Sequence, residues 1–198
     1  MKFELYVQQL QDWPVTGKHL LCNFDQHSVI VYQAFKSQTA SYAVQHQHFG
    51  GPTYNFTRMS WIKPNFLWMM HRSGWAQKQG QERILAIKIS HHGFKEILKN
   101  AHSSTLKADD QFPVVLQWDP DHDPYGAKQQ RRAIQLGLRG EFLHLFSEQW
   151  IHEIRDITEF VQEQRVFVQH QELGKLLIPQ ERVYPLDIEI KKIIDVDE

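Results

Sequence analysis

The chain has 198 residues, 41% hydrophobic and 12% aromatic, with 22 basic residues against 23 acidic and a formal charge of -1. That length suits one domain over residues 1–198, since domains commonly run about 100 to 200 residues, and the apolar content excludes a disordered chain. The balanced charge excludes broad binding along a nucleic-acid backbone, no apolar run approaches the roughly 18 residues of a membrane span, and the single cysteine excludes an internal disulfide.

The N-terminal MKFELYVQQLQDWP carries Glu4 and Asp12 where a secretory leader would be apolar throughout, so the expected setting is cytoplasmic, with no membrane contact. Cys22, in HLLCNF, has apolar neighbours and reads as buried filler. SVIVYQAF (28–35) is β-branched and aromatic between polar clusters, which predicts a buried strand. QTASYAVQHQ (38–47) predicts a helix, after which Gly50, Gly51 and Pro52 impose a loop. Pro64 suits the first turn of a helix carrying NFLWMMHR (65–72), with Ser73 and Gly74 as its stop. RILAIKIS (83–90) predicts a strand, HHGFKEILKNAH (91–102) a helix and FPVVLQWD (112–119) another strand. DPDHDP (119–124) lacks the glycine and distal glutamate of a calcium loop and reads as a turn. RRAIQLGLR (131–139) predicts a strand, and GEFLHLFSEQW (140–150) sets Phe142, Leu145 and Phe146 at helical spacing. The stretch 149–169 reads as a strand passing into a helix, and PQERVYPL (179–186) as extended. Strands and helices mix without a βαβ rhythm, which predicts an α+β fold on a mainly antiparallel sheet with flanking helices. The close pairs His46/His48 and His91/His92 lack the i, i+4 spacing and nearby acid of a helical zinc motif, so no metal is expected.

One stretch is unlike the rest. RMSWIKPNFLWMMHRSGWAQKQGQE (58–82) holds three tryptophans, three methionines, four Lys/Arg and a histidine in 25 residues. On its helix Phe66, Met69 and Met70 fall at i, i+3 and i+4 while Leu67 and Trp68 occupy other sides, so the segment is apolar all round and should be buried. Arg58, Lys63 and Arg72 flank it, and a cation beside a buried helix must be paired or must face a cleft. Trp61, Trp68 and Trp75 serve either as core or as flat faces beside those cations. Indoles interleaved with cations can hold an anionic planar ligand, a nucleotide, by phosphate pairing and ring stacking. There is no P-loop, no dinucleotide-binding glycine turn and no G-x-S-x-G elbow.

VIVYQAF, RMSWIKPNFLWMMHRSGWAQKQGQERILAIKI, VVLQWDPDHD, RRAIQLGLRGE and PQERVYPL resemble successive signature blocks of the bacterial and fungal domain-of-unknown-function 4291 family, over about residues 22–186. His71 stands where that family carries a tyrosine. The resemblance implies a fold similar to the ADP-ribosyltransferases, which grip NAD in a cleft of a split antiparallel sheet. It implies NAD as substrate, Tyr32 and Gln33 as the early-strand group, and Arg72 with Ser73 as the anion contact. Arg58, Trp61, Lys63 and Trp75 would complete the NAD-binding set. For the late-strand group that fixes the ribose, Gln135 inside AIQLGL is preferred to Glu141, whose place after Gly140 fits the start of a helix. Glu82 is the other candidate catalytic group, with a salt bridge to a neighbouring arginine as its plain alternative. The His-Tyr-Glu and Arg-Ser-Glu triads of such enzymes are not visible. The expected function is transfer of ADP-ribose from NAD to an unknown acceptor. The alternative is a module that recognises a nucleotide or nucleic-acid end without chemistry, any nucleic-acid contact being local.

Overall fold

In the computed structural model, which describes residues 1–103 and 112–197, the chain opens with β1 (Phe3–Leu5), α1 (Tyr6–Gln9), β2 (Gly17–Lys18) and β3 (Leu21–Phe24). β4 (Ser28–Phe35) and α2 (Ser37–His46) lead to β5 (Ser60–Ile62) and α3 (Phe66–Ser73). Then come β6 (Arg83–Ser90), α4 (His91–Lys99), β7 (Ala101–Ser103), β8 (Val114–His122) and β9 (Lys128–Leu138). α5 (Gly140–Leu145) runs through a π-helical turn (Phe146–Trp150) into β10 (Ile151–Asp156). α6 (Thr158–Gln169), β11 (Leu177–Pro179), β12 (Arg182–Val183) and α7 (Ile188–Ile194) complete the chain.

The fold is α+β and mainly antiparallel. The first sheet has the order β10-β6-β4-β3-β12 and is antiparallel throughout. The second has the order β2-β9-β8-β7 with β5 added on β9, and only its β2–β9 and β7–β8 pairs are parallel. β1 and β11 form a separate antiparallel pair. Among the described residues the two larger sheets are joined by one isolated bridge: the Tyr32 N–H donates to the Lys63 carbonyl at 2.7 Å and the Lys63 N–H returns to the Tyr32 carbonyl at 3.1 Å.

Strand alternation distributes the side chains on either side of this junction. Val29 and Val31 of β4, Ile87 and Ile89 of β6, Leu116 of β8 and Leu136 of β9 point into one core with Phe94 and Ile97 of α4. On the opposite face of the first sheet, Ile30, Tyr32, Ile84 and Ala86 pack with Phe66, Met69 and Met70 of α3 and Val161 of α6. Residues 66–70 are all buried, as the apolar-all-round pattern predicts, and each large side chain so buried contributes about 1.5–3 kcal/mol.

Local chemistry sets the ends of α3. The Asn65 side chain accepts the Trp68 N–H at 2.8 Å as N-cap, so Pro64 lies just outside the helix rather than in its first turn. Gly74 stops the helix in the left-handed conformation at φ 59°. DPDHDP is a second correction: residues 119–122 continue β8, and the turn comes after them, where Asp123 accepts the N–H groups of Tyr125 and Ala127. The helix expected over 140–150 is α-helical only to Leu145. No helix among the described residues is long and apolar enough to cross a membrane.

Candidate functional site

β5 places Ile62 toward the inter-sheet core, and the next residue alternates to the outer face, which is why Lys63 leaves the core. The same register puts Trp61 beside Gly137 and ends at Ile62–Leu136, after which Lys63 bridges to Tyr32 of the first sheet. β9 and β8 then pair Gln135 with Gln117 and Ala133 with Asp119. Trp61, Lys63, Gln135, Gln117 and Asp119 therefore share one face of the second sheet. α3 packs against β4 and β8 beside it and carries Arg72 in its last turn. A Cβ at Gly137 would run into the Met59 thioether and come within 3.1 Å of the Trp61 indole, so a side chain there would displace both.

The polar groups on this face are not evenly satisfied. The Gln135 amide nitrogen donates to Asp119 Oδ2 at 2.6 Å and to Gln117 Oε1 at 3.1 Å. Lys63 is 5% exposed, and its ammonium makes no hydrogen bond or ion pair among the described residues. Burial lowers its pKa to about 8, the charge of Arg72 pushes the same way, and Asp119 opposes both. Burial also raises the Asp119 carboxyl, against the Gln135 hydrogen bond and the charges of Lys63 and Arg132. A lysine whose pKa is drawn down by burial, beside a second cation and a hydrogen-bonded carboxyl, makes this face the candidate site.

Neighbouring groups hold the face in place. The buried Glu181, in the turn between β11 and β12, accepts the Phe66 N–H at 2.6 Å and the Asn65 amide at 2.8 Å, which fixes the start of α3. Burial pushes its carboxyl well above the ordinary value, the Phe66 N–H pulling back. Asp121 and Arg131 form a buried pair at 2.5 Å, and the Arg131 guanidinium lies 4.8 Å from the Trp13 ring centroid. At the α3–β8 contact, His71 stacks on His122 with centroids 3.5 Å apart, and Trp68 lies parallel to His122 at 5.2 Å. Burial lowers both imidazole pKa values.

The structure brings together Trp61, Lys63, Arg72 and Gln135 of the residues singled out from the sequence. Others are committed elsewhere. Ser73 is fully buried, its hydroxyl donating to the Met69 carbonyl and accepting the Ala76 N–H, so it pins the end of α3. Trp75 is buried against Phe66 and donates its ring N–H to the Pro124 carbonyl, which makes it core. Tyr32 is buried beneath Phe66 and its hydroxyl finds no partner among the described residues. Gln33 points to the other side, donating to Ser60 Oγ and the Trp61 carbonyl. Arg58 is exposed on the loop before β5. Glu82 accepts the Gly80 N–H at 2.7 Å, while the adjacent Arg83 pairs with Asp156. Glu141 lies in the first turn of α5, as its position after Gly140 predicts.

Gln117 and Asp119 were the residues the sequence reading missed. The signal was present in VVLQWD, where they occur two apart on a strand otherwise apolar on both faces. No curated protein matches the chain. The family model described as Domain of unknown function (DUF4291) matches residues 19–184, most of the chain and every strand that builds this face, and the protein belongs to that family.

Proposed function

We propose that the Trp61–Lys63–Gln135–Asp119 face, with Arg72, binds NAD and transfers its ADP-ribose to an acceptor in the manner of an ADP-ribosyltransferase. The observation that carries the reading is Lys63, a residue 5% exposed whose ammonium makes no hydrogen bond or ion pair among the described residues and feels the charge of Arg72. A charge left unpaired in a low-dielectric place is strongly disfavoured unless an anion joins it, and the pyrophosphate of NAD is such an anion. Trp61 offers an aromatic surface to a base or nicotinamide ring, and the Gln135 carbonyl oxygen is available to a ribose hydroxyl. In the transfer the bond between ribose C1′ and the nicotinamide nitrogen breaks, nicotinamide leaves neutral, and the acceptor nucleophile bonds to C1′ as it loses its proton. Positive charge develops on the ribose meanwhile, and Asp119 in its ionised form stabilises it.

The test is nicotinamide release, followed chromatographically, alongside calorimetric titration with NAD. The wild-type chain is expected to bind NAD and release nicotinamide, and Lys63→Met to lose both. Absence of binding at millimolar NAD rejects the reading. Binding without nicotinamide release favours a second one, a non-catalytic nucleotide or nucleic-acid-end module. The rise in the Asp119 pKa supports that alternative, because it draws that carboxyl toward its neutral form. A nucleic-acid end held this way would show a shallow salt dependence, since few phosphates are neutralised.

A further inference from the structure

The face of the first sheet that carries Ile30 and Ala86 has a second recess, lined by residues other than those of the Lys63 face. Asn23, Ile30, Lys88 and Glu153 lie in one transverse row across β3, β4, β6 and β10, and Ala86 and Arg155 lie in the next row on the same face. Residues 1–2, tied to Gln180 by its N–H donating to the Lys2 carbonyl at 3.0 Å, and Arg182 stand beside these rows, leaving a cleft of about 450 Å³, within the size range of small-molecule pockets. None of Trp61, Lys63, Arg72, Asp119 or Gln135 lines it.

The lining carries four cationic side chains, Lys2, Lys88, Arg155 and Arg182, against two carboxylates, Asp25 and Glu153. The four come from separate chain segments: the N-terminus, β6, β10 and β12. Asp25 is already engaged by its own turn, where Oδ1 accepts the N–H groups of His27 and Ser28 and the Ser28 hydroxyl. Lys88 reaches the other oxygen, Asp25 Oδ2, at 3.2 Å, with both side chains partly exposed. Arg155 pairs with Glu153 two residues away, and Arg182 reaches Glu4 at 3.6 Å, all with substantially exposed side chains. Exposed pairs of this kind are worth about 0–1 kcal/mol and exchange readily for a better anion. Lys2 has no side-chain partner among the described residues. The floor between the cations is Ile30 and Ala86, both apolar.

We propose that this cleft is a second ligand site and takes a small phosphate monoester, its phosphate among Lys2, Lys88, Arg155 and Arg182 and its body against Ile30 and Ala86. A phosphate ester carries about two negative charges near pH 7, opposite in sign to the four cationic side chains that outnumber the two carboxylates of the lining. The guanidinium forks of Arg155 and Arg182 supply the paired donors that phosphate accepts in preference to a single-point anion. This site is independent of the NAD reading.

Phenyl phosphate titrated into the full chain at low salt, by calorimetry, tests it, with inorganic phosphate and benzyl alcohol as partial probes. Phenyl phosphate is expected to bind one per chain, inorganic phosphate more weakly and benzyl alcohol not at all. Arg155→Gln with Arg182→Gln should weaken phenyl phosphate by about tenfold or more, and Lys63→Met should leave it unchanged. Lys2→Gln is the variant that cannot disturb the fold through a lost contact, and it too should weaken binding. Absence of saturable binding overturns the proposal, as does binding that survives the arginine pair and Lys2 variants or disappears with Lys63→Met.

Discussion

Arg131 and Lys63 are buried to nearly the same degree, 4% and 5% exposed, yet they sit in opposite surroundings. Arg131 is enclosed by partners: Asp121 at 2.5 Å, the Pro14 carbonyl at 3.3 Å and the Trp13 ring. Lys63 has Arg72 as a like-charged neighbour and no ion pair among the described residues. A buried cation that the chain itself satisfies ties segments together; Arg131 joins β9 to the N-terminal residues 13–14. A buried cation left unsatisfied makes the fold less stable, which is the ground for our proposal that an anion joins Lys63 from outside. The comparison can be broken by stability measurements alone, before any ligand is known.

The largest effect belongs to the satisfied pair. Asp121→Ala removes the counter-ion of Arg131 and strands a buried guanidinium, which should lower unfolding stability by about 3–5 kcal/mol. Adding Arg131→Met to that variant should recover much of the loss, because an apolar side chain of similar length requires no counter-ion. Urea denaturation of the two variants reads both numbers. If Asp121→Ala alone is neutral, the pair holds nothing together and the contrast with Lys63 fails.

Lys63→Met should move stability the other way. The amine titrates at about 8 instead of 10.5, and each tenfold in proton affinity is worth about 1.4 kcal/mol, so at neutral pH its burial destabilises the fold by about 3 kcal/mol. The sign follows from proton counting. Between pH 8 and 10.5 the unfolded chain binds the proton that the folded chain has released, so this contribution favours folding increasingly as pH rises through that window. At pH 7 Lys63→Met is expected to melt higher than wild type, and its advantage should shrink as pH is raised toward 10.5. A variant that melts lower at pH 7 would mean that Lys63 has a structural partner.

How much of this was legible beforehand depended on whether one segment carried the information. β4 and β6 span residues 28–35 and 83–90, the bounds their β-branched runs predict, because both are buried on two faces and bounded by polar residues. α3 was legible as buried because its apolar residues surround the whole axis. The short strands β1, β2, β5 and β12, of two or three residues, left no period to read. The site was half visible. Lys63, Arg72 and Trp61 stood out within a single crowded stretch, but Asp119 looked like part of a turn. Its aspartate-proline sequence favours a bend, and only the ladder with β9, which no local window contains, keeps residues 119–122 extended. Ser73 and Trp75 erred in the opposite direction. Their proximity to Arg72 in sequence suggested a shared role, while the helix end turned both into the core.

Arg72→Lys has the smallest expected effect on the fold and sharpens the comparison most. Arg72 is exposed in the last turn of α3, and its side chain has no ion pair among the described residues. As a cation at a helix C-terminus it contributes about 0.3–1 kcal/mol, and lysine supplies the same charge. The melting temperature should therefore barely change. Binding is another matter, because lysine cannot reproduce the two parallel donors that a guanidinium presents to a phosphate. If Arg72 acts with Lys63 on the same anion, losing one charge-assisted bond should weaken NAD binding by about tenfold or more. Thermal melting and calorimetric titration on one preparation separate the two roles. A fall in stability of several kcal/mol would make Arg72 structural, and unchanged NAD affinity would leave Lys63 without the second cation that its proposed role requires.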